Sequence, residues 1–253
     1  MPALAIFMGT AIPTPTRIPS MTTTEALAPL LHLLRLTSPS LPIGTFAWSQ
    51  GLASAVELGW VDSPAALEDW LRAMLERSFA QQELPLLVRL LVADPAGCAH
   101  WNPSHSNLSH WNEIALALRE TAELRREDSH CGAALLRLLA DTGVPAAIVW
   151  PTAEPISYLA AYALACAHWH IDYPRAATGL VWSWLDNQIA AALKLSLLGQ
   201  TQGQRIAVAL LERVPALIER ARTVTDADIG ISLPGQVLAS MLHETQYSRL
   251  FRS

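Results

Sequence analysis

The stretch from Pro174 to Gly199, P-R-A-A-T-G-L-V-W-S-W-L-D-N-Q-I-A-A-A-L-K-L-S-L-L-G, decides the fold class. Proline at its head has no N–H to lose at the first helical position, and glycine at its foot is the commonest helix terminator. The interior is rich in Ala and Leu, which favour helix, and shows no sustained two-residue alternation. The pattern predicts one long helix over 174–198.

The same punctuation recurs outward from this segment. Pro155 opens a helical pattern to His170, and Gly143-Val144-Pro145 ends another that runs from Cys131 to Ala140. A strongly charged pattern covers His110 to Arg126. Upstream, Ser63-Pro64 supplies an N-cap and a first-turn proline, followed on one face by Leu67, Trp70, Leu71, Met74 and Leu75. Pro85 should break or restart that helix, with Leu84 to Val92 continuing it. A helix is expected over Trp48 to Leu58, stopped by Gly59, after a loop from Thr37 to Gly44 that carries two prolines. Ordered structure should begin at Glu25 to Leu36, where Leu27, Leu30, Leu31 and Leu34 fall at helical spacing. Downstream, Gln204 to Ala221 reads as one amphipathic helix, and Pro234 opens a last one to about Gln246. No strand pattern of useful length and no fixed-period repeat interrupts this series. The expected fold is all-α, a single-domain multi-helix bundle over residues 24–253. Residues 1–23, with Pro2, Pro13, Pro15, Pro19 and a Thr/Ser cluster, read as a disordered leader.

Composition narrows the function classes. Of 253 residues, 51% are hydrophobic and only 15% charged, so the chain should bury a large core and a large interface as well. A net charge of -5 gives no basic footprint for nucleic acid. Three cysteines without a C-x-x-C pair indicate neither a disulfide framework nor a zinc ribbon, and a reducing cytoplasm fits best. The longest apolar runs fall short of the roughly 18 residues that a membrane span needs. Lys194 is the one lysine among 17 cationic side chains.

No phosphate-binding loop, dinucleotide fingerprint or nucleophile elbow occurs. The best metal-like cluster is Cys98, His100, His105 and His110, whose thiolate and imidazoles suit nickel or zinc, set in a Pro/Asn/Ser-rich loop. It supports an alternative reading as a helical metal-dependent enzyme. His168 and His170 sit two apart in a helical pattern and point to different sides unless the helix has already ended. The run Arg119-Glu120-Thr121-Ala122-Glu123-Leu124-Arg125-Arg126-Glu127 places opposite charges at i,i+4, which reads first as a solvated helix face. The nine tryptophans read as core packing. No nucleophile is paired with a base and an orienting group, so an enzyme is not expected.

Four blocks, in order along residues 26–253, resemble the UreF family of urease accessory proteins. They are Leu33 to Val61, which contains P-I-G-T-F-A-W-S-Q-G-L; Glu83 to Leu90; Trp111 to Leu139; and Trp182 onward through Ala192-Leu193-Lys194-Leu195 and Gly199-Gln200 to the closing H-E-T-Q-Y-S-R-L-F-R-S. The resemblance implies a helical, dimeric, cytoplasmic scaffold without catalysis of its own. It implies binding to a UreD/UreH-type accessory protein and to the GTPase UreG, and a role in GTP-dependent nickel insertion into apo-urease. Nickel would be cargo, and no cofactor of the chain's own is implied. Carried over to this sequence, the C-terminal tail 243–253 should become ordered in the complex and contact partners through His243, Glu244, Thr245, Gln246, Tyr247, Ser248, Arg249, Leu250, Phe251 and Arg252. Lys194, Ser49, Gln50 and Glu57 join the implied partner-binding set. Two positions depart from the family pattern: Thr45 stands where a second glycine is usual, and Ala53 where an acid is common.

Overall fold

The structure, a computed structural model, describes residues 23–93 and 107–252. The helices are α1 (Thr23–Leu36), α2 (Leu52–Glu57), α3 (Pro64–Ala73), α4 (Leu84–Val92), α5 (Asn107–Ala117), α6 (Ala122–Asp141), α7 (Pro145–Val149), α8 (Tyr158–His168), α9 (Tyr173–Lys194), α10 (Gln200–Leu211), α11 (Val214–Ala221) and α12 (Pro234–His243). A π-helical segment, Met74–Glu83, joins α3 to α4, and short 3-10 turns occupy Thr45–Ala47 and Asp226–Asp228. No strand occurs among the described residues, so the expected all-α bundle is what forms.

The caps explain most boundaries. Ser63 accepts from the Ala66 N–H (3.3 Å) with Pro64 at the first position, and Asp172 accepts from the Arg175 N–H (3.0 Å) at the start of α9. Ser157 does the same for α8 through the Ala160 N–H (3.0 Å), three residues inside the expected start. Pro215 divides the single helix expected over 204–221 into α10 and α11.

As expected, an α-helix restarts at Leu84 with Pro85 in its first turn, following directly on the π-helical segment. Without an N–H, Pro85 cannot bond the Gln81 carbonyl, and the Gly230 N–H fills that vacancy from outside (3.1 Å). The π-helical turn just before Pro85 is where the ladder reorganises, as expected where a regular register cannot continue.

Helix α8 runs through the centre, with every residue from Leu159 to Cys166 buried. Its alanines let neighbouring helices approach, and it packs against α4, α5 and α6. The α6 contact needs Gly132, where an added Cβ would lie 2.2 Å from the Ile156 carbonyl oxygen. On α9, Gly179 leaves room for Leu33 and Tyr162, and the Tyr162 hydroxyl donates to the Ala176 carbonyl (2.9 Å).

In α1 the buried leucines are Leu33 and Leu36, whereas Leu27, Leu30, Leu31 and Leu34 are exposed. The leucine spacing therefore marks an open apolar face, and the buried edge is the narrower one facing α9. Helix α12, last in the chain, packs on α2 near its beginning. N- and C-terminal elements thus share one core.

Candidate functional site

Gln50 and Gly51 both adopt left-handed backbone angles, φ 55 and φ 87. Two such residues in succession keep helix from forming before Leu52, which is why α2 is shorter than the expected 48–58. Glycine is needed at 51 because α12 crosses there: an added Cβ would lie 3.1 Å from the Gln236 carbonyl oxygen and 3.2 Å from the Ser240 nitrogen. Gln50 lacks that freedom and is held by its side chain. Its amide donates to Glu127 Oε1 (2.9 Å) and its oxygen accepts from the Trp184 indole (2.9 Å). At Thr45, Gly44 alone takes the left-handed angle (φ 80), so threonine begins the 3-10 turn without positive φ. Ala53 is buried, leaving no room for a solvated acid.

The tail lies back over this loop. The His243 imidazole is fully buried, and its Nδ1 meets both oxygens of the equally buried Glu123 (2.9 and 3.1 Å). Arg249 reaches the same carboxylate (3.3 Å) and donates through Nε to the Gln246 carbonyl (3.1 Å). The Glu244 carboxylate accepts from the Ala122 N–H (3.1 Å) at the positive end of α6. Gln246 donates to Glu57. The Arg252 N–H donates to the Ala47 carbonyl (2.8 Å), and Phe251 is buried against the body. Lys194 is the last residue of α9, with its ammonium 4.5 Å from the Phe251 ring centre and 3.4 Å from the Leu250 carbonyl oxygen. These contacts seat the tail on the body of the chain.

The structure brings Lys194, Glu57 and residues 243–252 together on one face. Ser49 and His243 are wholly interior: Ser49 accepts from the Ala53 N–H (3.2 Å), and both hold the surface from beneath instead of forming it. Gln50 also turns inward. The apolar part of the outer surface is Tyr247 and Leu250, continued by Leu238, Met241 and Leu242 of α12, all exposed, with Thr245, Ser248, Arg249 and Arg252 exposed beside them.

Beneath the loop lies a cavity of about 120 Å³, lined in part by Gln50, Glu83, Arg119, Glu127, Asp128 and Trp184. The solvated-face reading of the 119–127 run fails here. Helix α5 stops at Ala117, Thr121 caps α6 through the Leu124 N–H (3.1 Å), and Arg119 sits between the two helices. It pairs with Glu83 (2.5 Å) and Asp128 (3.5 Å) rather than with Glu123. Arg125 and Arg126 are exposed, as expected, but Glu123, Glu127 and Asp128 are buried. Burial raises the Glu127 carboxyl to about 8 against the opposing pull of Gln50 and Arg119. Burial likewise raises Asp128. Burial would lower the Arg119 guanidinium, but Asp128 and Glu83 more than reverse this and hold it charged. Sequence reasoning passed over Glu83 and Asp128 as site residues. The signal available was charge set inside otherwise apolar helical runs, as in E-L-P-L-L-V.

The cluster offers no nucleophile. Burial drives the Cys131 thiol and the Tyr158 hydroxyl upward, away from their reactive anions. Among the described residues, no group of three or more His, Cys, Asp or Glu side chains could hold a metal ion. Cys98, His100 and His105 lie outside the described residues, and His110 is on exposed α5 surface with its ring 5.1 Å from that of Trp111. The helix ends at His168, with His170 beyond it at φ 53; Trp169 between them stacks on His32 (4.4 Å). No helix among the described residues is long and apolar enough to cross a membrane.

The family model described as UreF matches residues 61–211. The urease accessory protein UreF of Hahella chejuensis is 45% identical over 225 residues, covering 88% of this chain and 98% of that protein. Those of Teredinibacter turnerae and Alkalilimnicola ehrlichii are 42% and 43% identical, over 88% of this chain and 98% and 95% of theirs. These relatives are named as accessory proteins, not as enzymes. The chain belongs to the UreF family of urease accessory proteins.

Proposed function

We propose that this chain is a urease maturation scaffold that bridges a UreD/UreH-type accessory protein and the GTPase UreG, as a cytoplasmic homodimer, during GTP-dependent nickel insertion into apo-urease. Nickel is the cargo of that assembly, and no residue here is assigned to hold it. The observation that carries the reading is the ridge formed by α12 and the tail. Tyr247, Leu250, Met241, Leu242 and Leu238 stand exposed on a backbone pinned from below by His243, Arg249 and Phe251. An apolar, aromatic ridge on a fixed support has the composition of an interface centre, and preordering lowers the entropy lost on binding.

The test follows from which residues are buried. Removing His243 would strand Glu123 without its partner, so a cut at 243 confuses folding with binding. Tyr247→Ala alters only an exposed ring and should leave the melting temperature unchanged. It is expected to weaken co-purification with the UreD/UreH-type partner or recruitment of UreG by at least about tenfold, as for an aromatic hot spot. Truncation after Gln246 should abolish one of the two. Full assembly by both variants would refute the proposal.

A further inference from the structure

We infer that Lys194 is a positioning residue: it fixes the C-terminal tail on the body of the chain and acts on partners through the tail instead of touching them. The consequence for partners rests on the function proposed above, whereas the consequence for the tail does not.

One face of α9 carries both attachments. Trp184 donates to Gln50, and Asn187 donates to the Trp48 carbonyl (3.2 Å), so these two hold the left-handed loop. Lys194 follows Asn187 by two helical turns and therefore projects from the same face. There its ammonium lies over the Phe251 ring and reaches the Leu250 carbonyl. On the other side, the Arg252 N–H is bonded to Ala47, within the segment that Trp184 and Asn187 secure. Leu250, Phe251 and Arg252 are thus fastened at two points referenced to a single helix. With Phe251 turned in, Leu250 and Tyr247 remain on the outside. Lys194 is also the C-terminal residue of α9, where a cation faces the negative end of the helix and is held in register.

The tail contact requires a cation, not a lysine in particular. Lys194→Met keeps the stem and removes the charge; Lys194→Arg keeps a group that also stacks on aromatic rings. In the full chain without partners, amide hydrogen exchange at Arg252 should accelerate about three- to tenfold in Lys194→Met. That figure combines an exposed cation–ring contact with one hydrogen bond to a charged group. Lys194→Arg should return exchange to within about twofold of wild type. Phe251→Leu should accelerate exchange likewise, and adding Lys194→Met to it should add less than Lys194→Met does alone, because the ring contact is already gone and only the bond to the Leu250 carbonyl remains to be lost. Unchanged Arg252 exchange in Lys194→Met, or fully additive effects in the double variant, overturns the inference.

Urease activation then separates the two readings. Activation lost in Lys194→Met with tail exchange unaltered would mean that the lysine touches a partner directly, which overturns the inference and leaves the scaffold function standing. A loosened tail with activation intact, in both Lys194→Met and the chain truncated after Gln246, would overturn the scaffold function and leave the tail attachment standing.

Discussion

Glu127→Gln isolates the electrostatic cost of the buried cluster. The substitution keeps a carbonyl oxygen for the Gln50 amide and changes only the ability to ionise. In the folded chain the Glu127 carboxyl is raised from 4.5 to about 8, chiefly by burial. Because the folded value lies above the unfolded one, the native state keeps a proton that the unfolded state releases. Below about pH 4.5 both states are protonated and the group contributes nothing to pH dependence. Between about 4.5 and 8, native stability falls by roughly 1 kcal/mol for each pH unit, and by several kcal/mol across the window. Asp128 is shifted in the same direction, so it is the difference between variant and wild type that reports on Glu127. Urea unfolding followed by circular dichroism at pH 5, 6, 7 and 8 is the assay. Glu127→Gln should be stabilised relative to wild type, by an amount that grows with pH. Parallel stability–pH curves for the two proteins, or a variant less stable than wild type at pH 8, would refute the reasoning.

Arg119→Met should destabilise by about 3–5 kcal/mol near neutral pH, since it leaves Glu83 and Asp128 buried without their cation, and the loss should shrink in acid as the Asp128 carboxyl, already raised by burial, protonates. Denaturant midpoints at pH 5 and 8 check both the size and the sign. Gly132→Ala should lower stability by about 3 kcal/mol or more, because its Cβ meets backbone at 2.2 Å and α6 must move off α8. Thermal melting measures this, and a shift of only a degree or two would mean that the crossing is looser than described.

Boundaries were legible wherever a local rule suffices. Ser63-Pro64 and Pro174 each announce a helix start through backbone chemistry that needs no distant partner, and α3 and α9 begin at those marks. The expected end at Gly199 does not hold, because α9 stops at Lys194, Ser196 turns left-handed (φ 58), and Gly199 caps the start of α10 instead. Failures came where a distant residue completes the local chemistry. Pro85 rightly marks the restart of α-helix at Leu84, but nothing near it announces the Gly230 N–H that bonds the Gln81 carbonyl. Arg119 and Glu123 read as an i,i+4 pair, yet Thr121 starts a new helix between them and their true partners are Glu83 and His243. The α1 leucines fit helical spacing perfectly well. Periodicity reports that a face is apolar, however, and not whether the chain itself covers it. The tail, Lys194 and Glu57 entered through family resemblance. Their meeting on one face depends on the α12–α2 contact, and the Gln246–Glu57 bond beside it joins residues 189 apart in sequence.

The bond from Gly230 to the Gln81 carbonyl has a consequence for how the molecule comes apart. Arg89 adds two more ties to the same turn, to Asp226 (2.9 Å) and to the Val224 carbonyl (2.5 Å). Residues 224–230 therefore complete the α3–α4 rod in the way a splint completes a cracked beam. Helix α12 and the tail follow directly from that splint, so the rod and the C-terminal segment belong to one cooperative unfolding unit. Opening that unit would unseat the tail and strip the rod of its rung at Gln81 in one event. Slow-exchanging amides in Leu84 to Val92 should consequently share their opening free energy with those of 234–243, although about 145 residues separate them in sequence.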